Sequence, residues 1–467
     1  MLTIDVKDIH GLEEAERIQL QKLMDVYHYH YSRNVEKARY YEGHIPLREV
    51  NLGIALPQTL MGLEIGCEWG GKCVDVLASR SMFDGFVAQD GSEATQMTAI
   101  MLANRLQAEY TKACRDELKY GCTFATLSAD RDIGCRIRFH SPQTAAALWN
   151  GEQGRIDCGF AIIDTIQDES DKNAWVPSVI NLYTNEAVCV LQLRNGTWNA
   201  ERHPHRMGRP LMEPMIWNST SLKPFGRSRI KEPIRRLIQA YIRTLANATI
   251  GLEFATAPQK YLLGVTDEQY DALINQKFKQ YVGSILAATT NPETGEPPKF
   301  GQLSQGSIEP HVQMMRLLAT QFSAASGLSV TDTGVVNDAN PTSSDAILAQ
   351  TQTLVLMAEQ LNAGNANALY TIAQMAQAVA RETTLDGLND EERSVIAHFK
   401  NPSMPSVAVT ADAAIKISSV RPEFAKTDVF MEMIGFSQAD IRRVKAQEAK
   451  QRGLAVLTEE FNEDIGE

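Results

Sequence analysis

Apolar positions recur at helical spacing over residues 12–41, where Leu12, Ile18, Leu20, Leu23, Met24, Tyr27 and Tyr31 predict one long amphipathic helix. A Gly/Pro-bearing stretch, 42–57, reads as loop. Residues 91–119 return to a helical pattern, with Gly121 as its stop. From Gly121 to about Trp217 the period changes. Short β-prone runs such as CTFATLSA, CGFAIIDTI and AVCVLQL alternate with turn signals, including Asn150-Gly151 and the hairpin dipeptide Asn195-Gly196. Helix resumes over 227–254, where Ile230, Ile234, Leu237, Ile238, Tyr241, Ile242 and Leu245 share a face.

Residues 259–307 are short and mixed, with a Pro-rich hairpin candidate at 291–303. A helix over 308–326, a Gly/Asn/Asp/Pro-rich loop over 327–342 and a long Ala/Leu/Gln/Met-rich helix over 343–382 follow. Ser343 or Ser344 caps that helix and Gly364 is a candidate kink. Residues 385–467 read as further helices with a Pro-containing loop at 401–406 and a charged tail. The fold class is therefore α+β, and a long helix interrupted by a small module suits an elongated subunit.

The chain has 467 residues, enough for roughly two to four domains. A formal net charge of −12 argues against a tight DNA clamp, which would be basic. It is compatible with a channel through which DNA slides and equally with an ordinary acidic cytoplasmic enzyme, so the charge alone does not choose. The cysteines Cys67, Cys73, Cys114, Cys122, Cys135, Cys158 and Cys189 include no CxxC pair, so they read as reduced, buried small hydrophobes. The first residues carry acids where a signal peptide carries bases, and no apolar run approaches the ~20 residues of a membrane span. A cytoplasm-like compartment and no membrane partner are expected.

The string 66-GCEWGGKC-73 imitates a phosphate-binding loop, and 158-CGFAIID-164 ends in Asp164 like a Mg²⁺-binding strand. Cys73 stands where the loop needs a Ser or Thr hydroxyl, and Trp69 is bulky for a loop that wraps phosphates. The ordinary reading is a helix start packed on the sheet. His28 and His30 lie two apart and so point to different sides of a helix; His203 and His205 flank Pro204. Neither pair makes a metal site, and no cofactor, metal or catalytic residue is expected. Lys231, Arg235, Arg236 and Arg243 form a basic arc beside the apolar face of 227–254. It reads either as a solvated face or as a subunit interface or weakly basic ring toward nucleic acid. The loop 327–342, small and polar around Val335-Val336, is long for a connector, lies between two helices, and reads as able to swing as a unit.

Several strings, in order, resemble the portal proteins of tailed phages: 40-YYEGHIPL-47 and 53-GIALP-57, 72-KCVDVLASRSMFDGF-86, 203-HPHRMGRPLMEPMIWN-218 with 224-PFGRSRI-230, 254-FATAPQKYLLG-264, and 301-GQLSQGSIEPHVQMMRLLA-319 with 326-SGLS-329 and 341-PTSSDAI-347. The sequence departs from the family at Glu68-Trp69, where Asn-Trp is usual, and at Ser329, where Pro is usual. The resemblance implies a non-enzymatic subunit of a ring of about twelve copies at one capsid vertex. Double-stranded DNA would be packaged and ejected through that head–tail connector, and the motor, not this chain, would hydrolyse ATP. Partners would be the terminase large subunit, the major capsid and scaffold proteins and a head-completion adaptor. The place would be the virion, and the host cytoplasm during assembly.

The implied parts are a wing (1–226), a first stem helix (227–254), a clip (255–307), a second stem helix (308–326), a tunnel loop (327–342), a long kinked wing helix (343–384) and a mainly helical crown with tail (385–467). Tunnel-loop residues toward DNA would be Ser329, Thr331, Thr333, Val335, Val336, Asn337 and Asn340. Lys277, Lys279, Lys299 and Phe300 of the clip would face terminase, and the arc Lys231/Arg235/Arg236/Arg243 would be the basic face of the stem. The alternatives are a P-loop-like nucleotide-triphosphatase, against which Cys73 speaks, or another structural head protein such as a capsid or adaptor subunit, against which length and element order speak.

Overall fold

The computed structural model describes residues 4–50, 65–88, 94–167, 175–256, 260–263, 295, 299–302, 307–334, 344–403, 407–436 and 440–452. Helix α1, Glu14–Glu42, starts with a reciprocal capping box between Glu13 and Glu16 and stops at Gly43. A short α2, Leu47–Val50, and α3, Trp69–Ala78, follow, and then strand β1, Phe83–Ala88. The expected helix over 91–119 is two helices, α4 (Thr95–Ala103) and α5 (Leu106–Tyr120). The break falls at Asn104, whose side chain donates to the Cys135 carbonyl and accepts from the Ile137 amide. A neighbouring strand thus takes over groups that a continuous helix would leave in solvent.

The β-rich segment holds β2 (Cys122–Asp130), β3 (Gly134–His140), β4 (Ala145–Asn150), β5 (Arg155–Gln167), β6 (Trp175–Tyr183), β7 (Ala187–Arg194), β8 (Thr197–Pro204) and β9 (Met212–Ile216). Strands β4 to β8 form an antiparallel meander, and β3-β2-β9 form a second antiparallel sheet. The β7–β8 turn is the Asn195-Gly196 pair, both at positive φ, as a two-residue hairpin requires. Leu20, Leu23, Met24 and Tyr27 of α1 pack on Phe160, Leu182, Cys189 and Leu191 of the meander. Glu16 is buried at the start of α1. Burial pushes its carboxyl up, but Arg202 at 2.8 Å and the Glu13 amide outweigh that and hold it below the ordinary value.

Helix α6, Glu232–Thr256, leads to the paired strands β10 (Lys260–Leu263) and β11 (Lys299–Gln302), and α7, Glu309–Ser326, packs along α6. The strand inside the Pro-rich hairpin candidate thus pairs with 260–263 upstream. Ile234, Ile238 and Ile242 of α6 are fully buried, each contributing about 1.5–3 kcal/mol. Helix α8, Ser344–Ala380, runs unbroken through Gly364 and packs on β2, β3, β9 and α3.

A buried polar chain fixes the rotation of α8 against α5. Asn365 donates to Glu117 Oε2 at 2.8 Å and to the Tyr110 hydroxyl at 3.0 Å; Ser81 joins Tyr110 and Asn362, each at 2.6 Å. Next come α9 (Asp390–Arg393), β12 (Val395–Phe399), α10 (Val407–Val420) and α11 (Asp428–Ile434), with 440–452 helical. The helical reading of 385–467 fails at 395–399, because the β-branched and aromatic run VIAHF completes a ribbon with β1. The cysteines are all free and buried, and burial pushes the Cys122 thiol up to about 12.

Candidate functional site

The junction where α7 ends and the 327–342 loop begins gathers side chains from four elements. Helix α7 closes on Gly327, whose positive φ lets its N–H reach the Ser323 carbonyl. The chain then makes a tight knot. Asp332 accepts from the Ser329 amide at 3.1 Å and from the Ser329 hydroxyl at 2.7 Å. The Thr333 hydroxyl donates to the Val330 carbonyl at 2.6 Å, and Thr331 sits 2.7 Å from the Ser329 hydroxyl. A 3-10 turn over Thr331–Thr333 ends at Gly334, again at positive φ.

Two side chains of α3 hold this knot from outside. The Trp69 indole N–H donates to the Thr333 carbonyl at 3.2 Å, and the Lys72 ammonium donates to the Asp332 carbonyl at 2.8 Å. Trp69 stacks on Phe322 of α7, with ring centroids 4.7 Å apart, and lies 4.3 Å from the Tyr241 ring of α6. Gly70 presses α3 against α1; a Cβ there would sit 1.9 Å from the Tyr40 carbonyl oxygen. Helix α3 is therefore a fixed platform.

Arg229, only 6% exposed, ties the same junction from the opposite direction. Its guanidinium donates to the Ser326 carbonyl at 2.6 Å and to the Cys73 carbonyl at 2.5 Å, and lies 3.5 Å from the Met357 sulfur of α8. A cation at the C-terminal end of α7 also meets the negative end of that helix dipole. The Cys73 thiol in turn points at the Arg229 carbonyl, at 3.7 Å.

The phosphate-loop imitation is thereby explained. From Trp69 onward the string is helix; its Lys72 is spent on a backbone carbonyl and its Cys73 is buried in the core. Among the described residues no group of three or more His, Cys, Asp or Glu is placed to hold a metal ion. Nor is any helix among them long and apolar enough to cross a membrane.

The residues singled out from the sequence separate into groups. Ser329, Thr331 and Thr333 form the knot, which Trp69 ties to α3. Val335, Val336, Asn337 and Asn340 lie outside the described residues, as do Lys277 and Lys279. Lys299 is exposed on β11, opposite Leu263, and Phe300 pairs through its backbone with Leu262; its side chain lies outside the described residues.

The basic arc is divided. Arg235 turns inward to Glu36 of α1 and over the Tyr40 ring, and Arg243 donates to the Val50 carbonyl at 3.4 Å. Arg236 pairs with Glu232 on an exposed face, and Lys231 is exposed. The sequence reading missed Arg229 and the tethering role of Trp69. One local signal was present: Ser329 three residues before Asp332, closed by Gly334, is a turn signature.

A family model described as phage portal protein, SPP1 Gp6-like, matches residues 12–451. The chain belongs to that phage portal protein family. Among solved structures it is similar to the neck of an empty GTA particle computed with C6 symmetry, at 12% identity and TM-score 0.48, covering 83% of this chain and 90% of that one. It is also similar to the neck of a native GTA particle computed with C12 symmetry, at 12% identity and TM-score 0.47, covering 86% and 93%. No curated protein matches it.

Proposed function

We propose that this chain is the subunit of a ring of about twelve copies at a single capsid vertex, through which double-stranded DNA enters the head and later leaves. The observation that carries the reading is membership of the portal family over residues 12–451. In it, residues 1–226 with the long helix α8 form the wing, α6 and α7 the stem, and the segment around β10 and β11 the clip. Residues 327–342 form the loop toward DNA, and 385–467 the crown. The clip, with Lys299 exposed, docks the terminase large subunit and then the head-completion adaptor; capsid and scaffold proteins meet the wing. The ring resides in the virion and assembles in the host cytoplasm.

The role is mechanical. A duplex slides only if contacts with its phosphates are weak and independent of sequence. A chain of net charge −12, with Arg235 and Arg243 turned onto its own backbone and carboxylates, offers few strong phosphate contacts. ATP hydrolysis belongs to the motor.

Deleting residues 335–342 tests the reading. The expected result is intact rings and heads that lack DNA. Normal packaging by that variant removes the loop assignment. ATP hydrolysis by the purified chain that disappears in Lys72→Met overturns the mechanical reading altogether.

A further inference from the structure

We propose that the helix over 440–452 is a weak, sequence-independent contact for the phosphate backbone of duplex DNA. The proposal rests on the reading of the ring as a DNA conduit.

Three observations carry it. First, charge is segregated along the chain. Residues 440–452 hold five bases and two acids, a net +3, while the whole chain carries −12, so the rest carries −15. Second, charge is segregated around the helix. At about 100° per residue, Arg442, Arg443, Lys445, Lys450 and Arg452 fall on one half of the circumference. Asp440 and Glu448 share the other half with Ile441 and Val444. Third, the helix stands clear of the body. Ile441 is buried and Val444 half-buried, whereas every residue from Lys445 to Arg452 is exposed.

Most of these bases are available to a ligand. Arg443 lies 3.8 Å from Asp440 and Arg452 lies 3.4 Å from Glu448, and the two arginine side chains are 85% and 79% exposed. Pairs so exposed contribute little and exchange readily for phosphate. Lys450 makes no ion pair among the described residues. Lys445 is held more firmly, by Asp428 at 2.6 Å.

The composition selects the partner. A protein-binding surface is anchored by apolar or aromatic side chains at its centre, and a helix on a membrane needs a broad apolar face. Residues 445–452 contain only Lys, Arg, Gln, Glu and Ala. Cations without an anchor suit a uniform polyanion, bound through release of its counterions. Residues 453–467 add five acids and no base, which opposes tight binding.

The test is fluorescence anisotropy of labelled duplex DNA with the purified full chain across a salt series, on two unrelated sequences. Wild type is compared with the triple variant Arg443→Gln/Lys450→Gln/Arg452→Gln. A charge-matched control, Lys7→Gln/Lys22→Gln/Arg131→Gln, changes side chains exposed elsewhere. Wild type and control are expected to bind both sequences equally. The helix triple is expected to flatten the dependence of log K on log salt by about 0.9 for each lost contact, roughly 2.7 in all. Arg443→Lys/Arg452→Lys keeps the charge and is expected to match wild type. No duplex binding by wild type, an unchanged slope in the helix triple, or an equal change in the control overturns the proposal. A slope change seen with poly-glutamate but not with DNA assigns the helix to an acidic protein instead. Closed rings without duplex binding leave the ring standing and remove this contact; monomers that bind DNA through the helix do the reverse.

Discussion

The Lys72 ammonium lies 2.8 Å from the backbone carbonyl oxygen of Asp332, across 260 residues of sequence. A lysine that in a phosphate-binding loop would meet a nucleotide here meets the main chain. The neighbouring Trp69 does the same for Thr333. The string most suggestive of an enzyme is thus the platform that holds a loop.

Arg229 is expected to be the costliest single position at the junction. Arg229→Met leaves the buried Ser326 carbonyl without its side-chain donor and removes the second bond that the helical Cys73 carbonyl accepts. An orphaned buried carbonyl costs about 1–3 kcal/mol, so a loss of about that size in unfolding free energy follows. Denaturant titration checks it, and a change below about 1 kcal/mol is incompatible with the hub.

The α1–α3 crossing makes a separate prediction. Gly70→Ala places a methyl group 1.9 Å from the Tyr40 carbonyl oxygen and forces the helices apart, while Gly66→Ala meets nothing within 4 Å. Overpacking of this kind costs about 1–3 kcal/mol. A fall in melting temperature for Gly70→Ala with Gly66→Ala near wild type is the expected pair of results.

Glu117 gives a pH signature. Complete burial pushes its carboxyl up to about 8, against the opposing hydrogen bond from Asn365. Between about 4.5 and about 8 the folded chain keeps a proton that the unfolded chain has lost. The unfolded state binds fewer protons there, so stability falls as pH rises, by at most about 1.4 kcal/mol per pH unit. Glu117→Gln removes that contribution. Unfolding free energies at pH 5, 6.5 and 8 should therefore show a flatter dependence for the variant; identical slopes would exclude a protonated Glu117.

His398 likewise favours its protonated form, here the charged one. The carboxylates of Asp84 at 3.7 Å and Glu432 at 3.4 Å raise the imidazole above its ordinary value, while Lys400 lies 3.8 Å from Asp84. A raised histidine contributes stability that is complete below its unfolded pKa and lost as pH rises through the folded one. The contact between β12 and α11 should thus loosen from pH 6 to pH 8, read as faster amide exchange over 428–434. Equal exchange at both values, after correction for intrinsic rate, would count against it.

Much of the scaffold was legible from local pattern. The stripe Ile234, Ile238, Ile242 specified α6, and Asn195-Gly196 specified the β7–β8 turn, because periodicity and positive φ are local properties. The α4–α5 break was not legible, since Asn104 is claimed by a strand about 30 residues on. Strand β12 was hidden because its partner β1 lies at the other end of the chain. The junction was hidden for the same reason: Arg229 reaches Cys73 across 156 residues and Trp69 reaches Thr333 across 264. A single sequence names such residues but gives no sign of which backbone carbonyl each will meet.

The central claim is a ring that DNA passes through. Electron microscopy of the purified full chain, with particle mass measured over a range of salt concentrations, tests it most directly. The account predicts closed rings of about twelve subunits around a channel wide enough for duplex DNA. Monomers at every salt concentration, or closed particles without a channel, would contradict it.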